Sequence, residues 1–216
     1  MKMFRKIISL LLVFIALSPK FICYASDEVM PIWEYEFTIT IVSTGDPISN
    51  SFSDDENMTL GHSFLIINNG STIPITIGHM QVPAESSITI GTFGNRSTHI
   101  GIWYNIEGYN QDSYNGSAAS YSIPYSDITV LNSTINSNDE YDGWTDNCTT
   151  FACDVWNAVV PDAYHVSGYY PADLENSIND LSFSTTSYTI PQKNINEIAY
   201  QTTTSIGYST LGANRH

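Results

Sequence analysis

The chain has little positive charge. Its 216 residues include 7 Lys and Arg against 22 Asp and Glu. Four of the seven cations precede residue 25, so the chain without that segment keeps three cations against 22 acids, a formal charge of −19. A surface that binds nucleic acid or anionic lipid needs clustered cations. We therefore expect no nucleic-acid partner and no electrostatic docking to a membrane.

Long apolar runs are also missing. The run over 7–17 has eleven residues, too few to span a bilayer comfortably. It follows the cationic segment 1–6 and precedes Ser18-Pro19 and a small-residue site ending at Ala25, the pattern of a secretory signal peptide. The sequence predicts a signal peptide over 1–25, a secreted or cell-envelope location, and no stable membrane insertion after cleavage.

Cysteine is scarce, and the chain after residue 25 has only Cys148 and Cys153. Export normally favours disulfides. The two residues are five apart in a predicted helix, which puts their Cα atoms about 8–9 Å apart, beyond the limit of roughly 7 Å for a disulfide. Two free thiols in an exported protein need a chemical explanation for at least one of them.

The chain does have apolar residues in strand and helix patterns, and they make up 42% of the sequence with Tyr, Trp and Cys included. This is enough for one packed domain. Alternation over 32–42 and short apolar runs over 62–67, 73–77, 87–91 and 100–107 predict five strands. Two further candidate strands are Ser122-Ile123 and a segment beyond Phe183, before a mobile tail. Asn69-Gly70 predicts a hairpin that pairs the second strand with the third. Helical spacing predicts three helices, over 127–137, 148–160 and 171–181.

The helix after Asn147 is the clearest element. Phe151, Val155 and Val159 form an apolar row, Asn147 or Asp146 is a suitable N-cap, and Pro161 ends the helix. The N-terminus of a helix stabilises a thiolate, so Cys148 in the first turn is a candidate nucleophile, with nearby amides to hold an oxyanion. The alternative is a small buried residue that packs the helix. Cys153, in mid-helix, is expected to be structural.

A nucleophilic cysteine needs a base, and histidine is the usual one. His62 is the best placed, because it opens an apolar strand directly after Gly61, but composition leaves His79, His99, His165 and His216 open as well. No spacing typical of a zinc or calcium site is present. The sequence therefore indicates no metal and no cofactor, and Asp54-Asp55-Glu56 is interpreted as a solvated acidic loop.

Three motifs together resemble a known family: Gly61-His62-Ser63-Phe64, Gly101-Ile102-Trp103-Tyr104-Asn105 and Asn147-Cys148-Thr149-Thr150-Phe151-Ala152. They are similar to those of bacterial secreted proteins of the NlpC-like papain-fold superfamily. The order, with His before Cys, resembles the circularly permuted branch that includes lecithin retinol acyltransferase-like proteins. The resemblance covers roughly residues 35–181. It implies an α+β, papain-like domain over 31–182, with a central antiparallel sheet packed against the helix that carries Cys148. A polar C-terminal extension, partly mobile, would occupy 183–216.

The resemblance also implies roles for individual residues. Cys148 would be the nucleophile and His62 the base, and His79, on the following strand, would be the third polar residue that orients His62. The implied function is a secreted thiol hydrolase that cleaves a peptide or amide bond in cell-envelope material, with peptidoglycan as one such substrate.

Other activities are left open. An acyltransferase or esterase would use the same residues. A non-catalytic secreted binding module on the same fold would instead use aromatic residues as a contact surface: Trp103, Tyr104, Tyr109, Tyr114, Tyr141 and Trp144.

Overall fold

The helix that begins at Cys148 packs on a seven-stranded sheet in the computed structural model of the chain. The structure describes residues 36–47, 60–94, 99–110 and 114–208. The predicted signal peptide, the acidic loop at 54–56 and the last eight residues lie outside these ranges. The described part is a mixed α+β structure, and its named strands pair antiparallel throughout.

The strands of the large sheet follow the order β7-β1-β2-β5-β6-β8-β9, and β3 and β4 form a separate two-stranded sheet. The strands are β1 Glu36–Thr44, β2 His62–Asn69, β3 Ile75–Ile77, β4 Met80–Val82, β5 Ser86–Phe93, β6 Gly101–Tyr104, β7 Ser117–Pro124, β8 Ala199–Gln201 and β9 Ile206–Tyr208. The helices are α1 Ile106–Tyr109, α2 Ile128–Ser137, α3 Cys148–Asn157 and α4 Pro171–Asn179.

The larger core lies between one face of the sheet and helices α2, α3 and α4. Leu65 and Ile67 of β2 face this core, as do Phe151 and Val155 of α3 and Leu174 of α4. Burying each such side chain contributes about 1.5–3 kcal/mol. Because side chains alternate along a strand, the intervening residues of β2 face the other side of the sheet, where His62 lies against a smaller aromatic cluster.

The predicted hairpin at Asn69-Gly70 is wrong. Strand β2 pairs with β1 and β5, whereas β3 pairs only with β4. The reason is the fully buried Asn69 side chain, whose amide donates to the carbonyls of Ile73, Val82 and Pro83. These bonds fold residues 70–85 into a separate segment that contains the β3–β4 pair. Strand β5 follows this segment and pairs with β2.

The C-terminal segment contributes to the large sheet. Strand β8 pairs with β6 through Trp103↔Tyr200 and Tyr104↔Ala199, and β9 follows β8 in an antiparallel pair. Residues 199–208, expected in a polar extension, therefore extend the sheet. Within the described ranges, no helix has both the length and the hydropathy needed to cross a membrane.

Candidate active site

Cys148 is the first residue of α3, as the sequence predicts. The Asn147 side chain caps the helix by accepting hydrogen bonds from the N–H groups of Thr149 (2.8 Å) and Thr150 (3.1 Å). The Thr150 hydroxyl in turn accepts from the Asn147 N–H at 2.9 Å, which completes a capping box. The reciprocal cap fixes the first turn, so the Cys148 thiol is held at the positive end of the helix.

His62 is the first residue of β2 and is buried. Gly61 precedes it with φ of 82°, and a Cβ there would collide with the carbonyl of Thr44. The imidazole packs against Phe93, with 4.6 Å between ring centroids, and lies near Phe64 and Tyr114. This aromatic packing fixes the ring in a water-poor position beside the α3 N-terminus.

The His62 imidazole contacts two partners. The Cys148 thiol is close enough for hydrogen bonding and charge to couple its pKa to that of the imidazole, and Nε2 lies 2.9 Å from Oε1 of Glu107. A carboxylate only accepts hydrogen bonds, so Nε2 carries a proton that it donates to Glu107. Nδ1 is then the nitrogen that remains for the thiol. The three side chains form a Cys–His–Glu chain.

Glu107 is completely buried in the short helix α1. Its second oxygen accepts a 2.7 Å hydrogen bond from the Thr89 hydroxyl. Asn105, at φ 67°, starts the helix in a left-handed conformation that asparagine tolerates better than most residues. Its side chain donates to the Glu197 carbonyl at 2.9 Å. These contacts hold the carboxylate against His62.

The surroundings shift both reactive pKa values towards an ion pair. Burial alone would lower the pKa of His62, but hydrogen bonds and charges from Cys148 and Glu107 raise it to about 9. Burial alone would raise the pKa of the Cys148 thiol, but the hydrogen bond and charge of His62, the Ser63 N–H and the Thr149 hydroxyl bring it below its ordinary value. Both shifts favour a thiolate beside an imidazolium over the neutral pair.

His79 is not the partner of His62 in this structure. It lies in the turn between β3 and β4, and its Nδ1 is 3.0 Å from the Thr202 carbonyl. The expectation assumed that β3 pairs with β2, which the observed pairing excludes. Glu107 occupies the position beside Nε2 that His79 was expected to fill.

The other sequence candidates divide between core and surface. Both cysteines are free thiols, and burial, aided by the charge of Asp154, raises the pKa of Cys153 to about 12. Trp103, Tyr104 and Tyr114 are buried, which removes them from the predicted contact surface. Trp144 is 74% exposed in the loop before Cys148.

Sequence reasoning missed Glu107 and its neighbour Gly91. A Cβ at Gly91 would collide with Glu107 Oε1 and lie 3.1 Å from His62 Nε2, so glycine leaves room for the pair. One signal was available in the sequence: Glu107 is the only charged residue in the largely apolar and aromatic stretch over 101–109. A lone acid in such a stretch is a candidate buried carboxylate.

No metal cluster accompanies these residues. Over the described ranges, no group of three or more His, Cys, Asp or Glu side chains is arranged to hold a metal ion.

Comparisons with protein-family models, curated proteins and solved structures find no match to this chain.

Proposed function

We propose that this protein is a secreted thiol hydrolase with a permuted, papain-like fold that cleaves an amide or peptide bond, with cell-envelope peptides as the substrate class. The observation that carries the proposal is the buried chain from the Cys148 thiol through His62 to Glu107. Burying three ionisable groups costs several kcal/mol per ion before they pair. Such a cost is expected where the groups do chemistry.

The first half of the reaction transfers the acyl group to sulfur. The Cys148 thiolate attacks the carbonyl carbon, and a carbon–sulfur bond forms as the carbonyl π bond opens to an oxyanion. The carbonyl π bond then re-forms as the carbon–nitrogen bond breaks, and His62, protonated in the resting ion pair, gives its proton to the departing amine, which leaves a thioester on Cys148. Glu107 accepts from the other ring nitrogen throughout, so the imidazole keeps its orientation.

The second half returns the enzyme to its starting state. Water attacks the thioester carbon and gives a proton to His62, the carbon–sulfur bond breaks, and the carboxylic acid leaves. The thiolate and imidazolium are then restored. An acyltransferase or esterase would use the same intermediate with a different acceptor or leaving group.

The α3 N-terminus supplies a donor for the oxyanion. The Asn147 cap takes the N–H groups of Thr149 and Thr150 through its side chain and that of Phe151 through its carbonyl. The cap does not take the Cys148 N–H. A backbone donor of this kind, directed at the oxygen of a bound acyl group, is typical of an oxyanion hole.

Exposed aromatic side chains flank the same helix end and favour a peptide or sugar-peptide substrate. Trp144 projects from the loop that precedes Asn147. The Asn147 amide donates to the Tyr169 carbonyl at 3.3 Å, which holds Tyr169 and the adjacent Tyr170 near the α3 N-terminus. Both tyrosines are exposed. Together with the formal charge of −19 on the chain without residues 1–25, this rim favours neutral or cationic substrates over anionic polymers.

The test is the capture of an acyl-enzyme followed by an assay on envelope material. Brief incubation with p-nitrophenyl acetate, then mass analysis, should place one acetyl group on Cys148 and none on Cys153. Bacterial cell-wall preparations should release new amino groups with the wild-type chain and not with Cys148→Ala. Release by Cys148→Ala at the wild-type rate, or failure of Cys148 to acylate, would overturn the proposal.

A second candidate is a non-catalytic binding module, and the exposed Trp144, Tyr169 and Tyr170 favour it. Such a module would bind cell-wall material through these side chains without using the thiol. Cys148→Ala would then bind as tightly as the wild type, and neither chain would release amino groups.

A further inference from the structure

A row of buried hydroxyl groups lies under the first turn of α3. Ser43 on β1 pairs directly with Ser63 on β2, and their hydroxyl oxygens are 2.7 Å apart. The Ser63 oxygen lies 3.2 Å from the hydroxyl of Thr149, the residue after the nucleophile. All three side chains are completely buried. The row ends beside the reactive sulfur, because Thr149 directly follows Cys148 in the first turn of α3, and its hydroxyl contributes to lowering the pKa of the Cys148 thiol.

The direction of these hydrogen bonds follows from one fixed end. The Ser43 hydroxyl donates to the Pro171 carbonyl at 2.7 Å, and a carbonyl only accepts. Each hydroxyl has a single proton, so Ser63 must donate to Ser43. Thr149 must then be the donor in its contact with Ser63. The Thr149 proton is therefore the only one in the row that has a choice of acceptor.

The Thr149 hydroxyl can donate either to Ser63, over a long distance, or to the Cys148 sulfur, which is charged as a thiolate. The Thr149–Ser63 distance of 3.2 Å is at the weak end for hydroxyl pairs, whereas the other two bonds in the row are 2.7 Å. A hydrogen bond to an ionised acceptor is roughly twice as strong as a neutral one. Once the sulfur is a thiolate, turning the Thr149 proton towards it costs only the weak hydrogen bond to Ser63.

We propose that Thr149 is a positioning residue for the nucleophile, whose hydroxyl points to Ser63 when Cys148 is a thiol and donates to the sulfur when Cys148 is a thiolate. The Pro171–Ser43–Ser63 row keeps the Ser63 proton turned away, so that Thr149 always has its own proton to give. This inference rests on the proposed function, because it assigns Thr149 a role only if Cys148 reacts as a thiolate.

Other ionisable groups around the sulfur set the background for a test. His62 and, behind it, Glu107 face Cys148 from the sheet side. Tyr141 in the loop before α3 and Cys153 on α3 are close enough for the Cys148 charge to contribute to raising their pKa values. None of them needs to be altered to test the hydroxyl row.

Substitutions at the two ends of the hydroxyl row, Thr149 and Ser43, should change the apparent pKa of Cys148 differently. In Thr149→Val the thiolate loses a donor, so the apparent pKa for alkylation of Cys148 by iodoacetamide should rise by about one unit, and the rate measured below the wild-type apparent pKa should fall about tenfold. Thr149→Ser should restore both. In Ser43→Ala the Ser63 proton is free to turn to Thr149, which then donates to sulfur only, so the apparent pKa should fall or stay unchanged. Circular dichroism and thermal unfolding would establish that each variant folds.

Thr40→Val is the matched control. Thr40 lies on the same strand as Ser43 and its hydroxyl is bonded to Ser120 at 2.8 Å, away from the row, so its loss should leave the alkylation profile unchanged. A rise in apparent pKa for Ser43→Ala equal to that for Thr149→Val would assign both residues a merely structural role and overturn the inference. An unchanged profile in Thr149→Val would overturn it too. If wild-type Cys148 itself alkylates only above pH 9, the proposed function has failed instead.

Discussion

Cys148 and Cys153 are five residues apart on one helix, yet the structure gives their thiols opposite properties. Both side chains are buried, and burial disfavours both thiolates. At Cys148, His62, the Ser63 N–H and the Thr149 hydroxyl outweigh burial and lower the pKa. At Cys153, the single backbone hydrogen bond from Gly168 does not outweigh burial, and the pKa of the thiol rises to about 12. Reactivity therefore depends on which hydrogen-bond donors and charges surround the sulfur, and exposure does not distinguish the two.

The most direct way to break this comparison is to measure both thiols in one experiment. With iodoacetamide at pH 7, Cys148 should alkylate on the order of 10³-fold faster than Cys153. Only the thiolate reacts, and at a pKa of about 12 its fraction at Cys153 is on the order of 10⁻⁵; the greater nucleophilicity of the more basic thiolate offsets part of that loss. Peptide mapping by mass spectrometry over time gives both rates. Rates within tenfold of each other would show that the helix start and His62 do not activate Cys148.

Glu107 sharpens the comparison, because it acts on Cys148 only through His62. Glu107→Ala removes the group that fixes the imidazole and should slow turnover of p-nitrophenyl acetate on the order of 10²-fold. Glu107→Gln keeps a hydrogen-bond acceptor but loses the charge, so its effect should be nearer tenfold. Alkylation of Cys153 should not change in either variant. Asp162→Asn, which alters a fully exposed carboxylate away from these contacts, is the control.

The pH profile separates the charge of Glu107 from its packing. His62 must be protonated to give its proton to an amine leaving group, so turnover of an amide substrate should fall as pH rises through about 9, the raised pKa of His62. Glu107→Gln removes part of what raises that pKa, and the alkaline limb should move to lower pH. An alkaline limb that stays in place would assign Glu107 a packing role only.

How far the sequence predicts this site depends on the distance over which each contact forms. The α3 start, its Asn147 cap and the mid-helix position of Cys153 are local, and spacing alone predicted them. His62 could be ranked first among five histidines from its place at the start of a strand. Glu107 could not be found in this way, because its contact with His62 spans 45 positions and depends on β5 lying beside β2. The wrong hairpin at Asn69 led to His79 instead.

Asn147 gives a smaller effect that should again distinguish the two thiols. Asn147→Ala removes the side-chain cap of α3 and should lower the free energy of unfolding by about 1 kcal/mol. The first turn loosens, so alkylation of Cys148 should slow a few-fold while that of Cys153, deeper in the helix, stays the same. Asn194→Ala, at the exposed cap of the short turn over 195–197, is the matched control. Equal slowing of both cysteines would indicate general unfolding.

Cys153→Ala should give the smallest effect, and it tests the comparison of the two thiols by altering the unreactive cysteine. Cys153 packs in the main core beside Ala152, and removing a buried sulfur should lower the free energy of unfolding by about 1 kcal/mol, measured by urea denaturation. The charge interaction between the two cysteines is a minor contribution to the raised pKa of Cys153, and the capped first turn is held by Asn147 and Thr150 rather than by residue 153. The rate and pH profile of Cys148 alkylation should therefore match those of the wild type within about twofold, the range expected for a substitution that leaves the donors around the sulfur in place. A tenfold change would mean that packing in the middle of α3 sets the position of the nucleophile, and that the helix start alone does not.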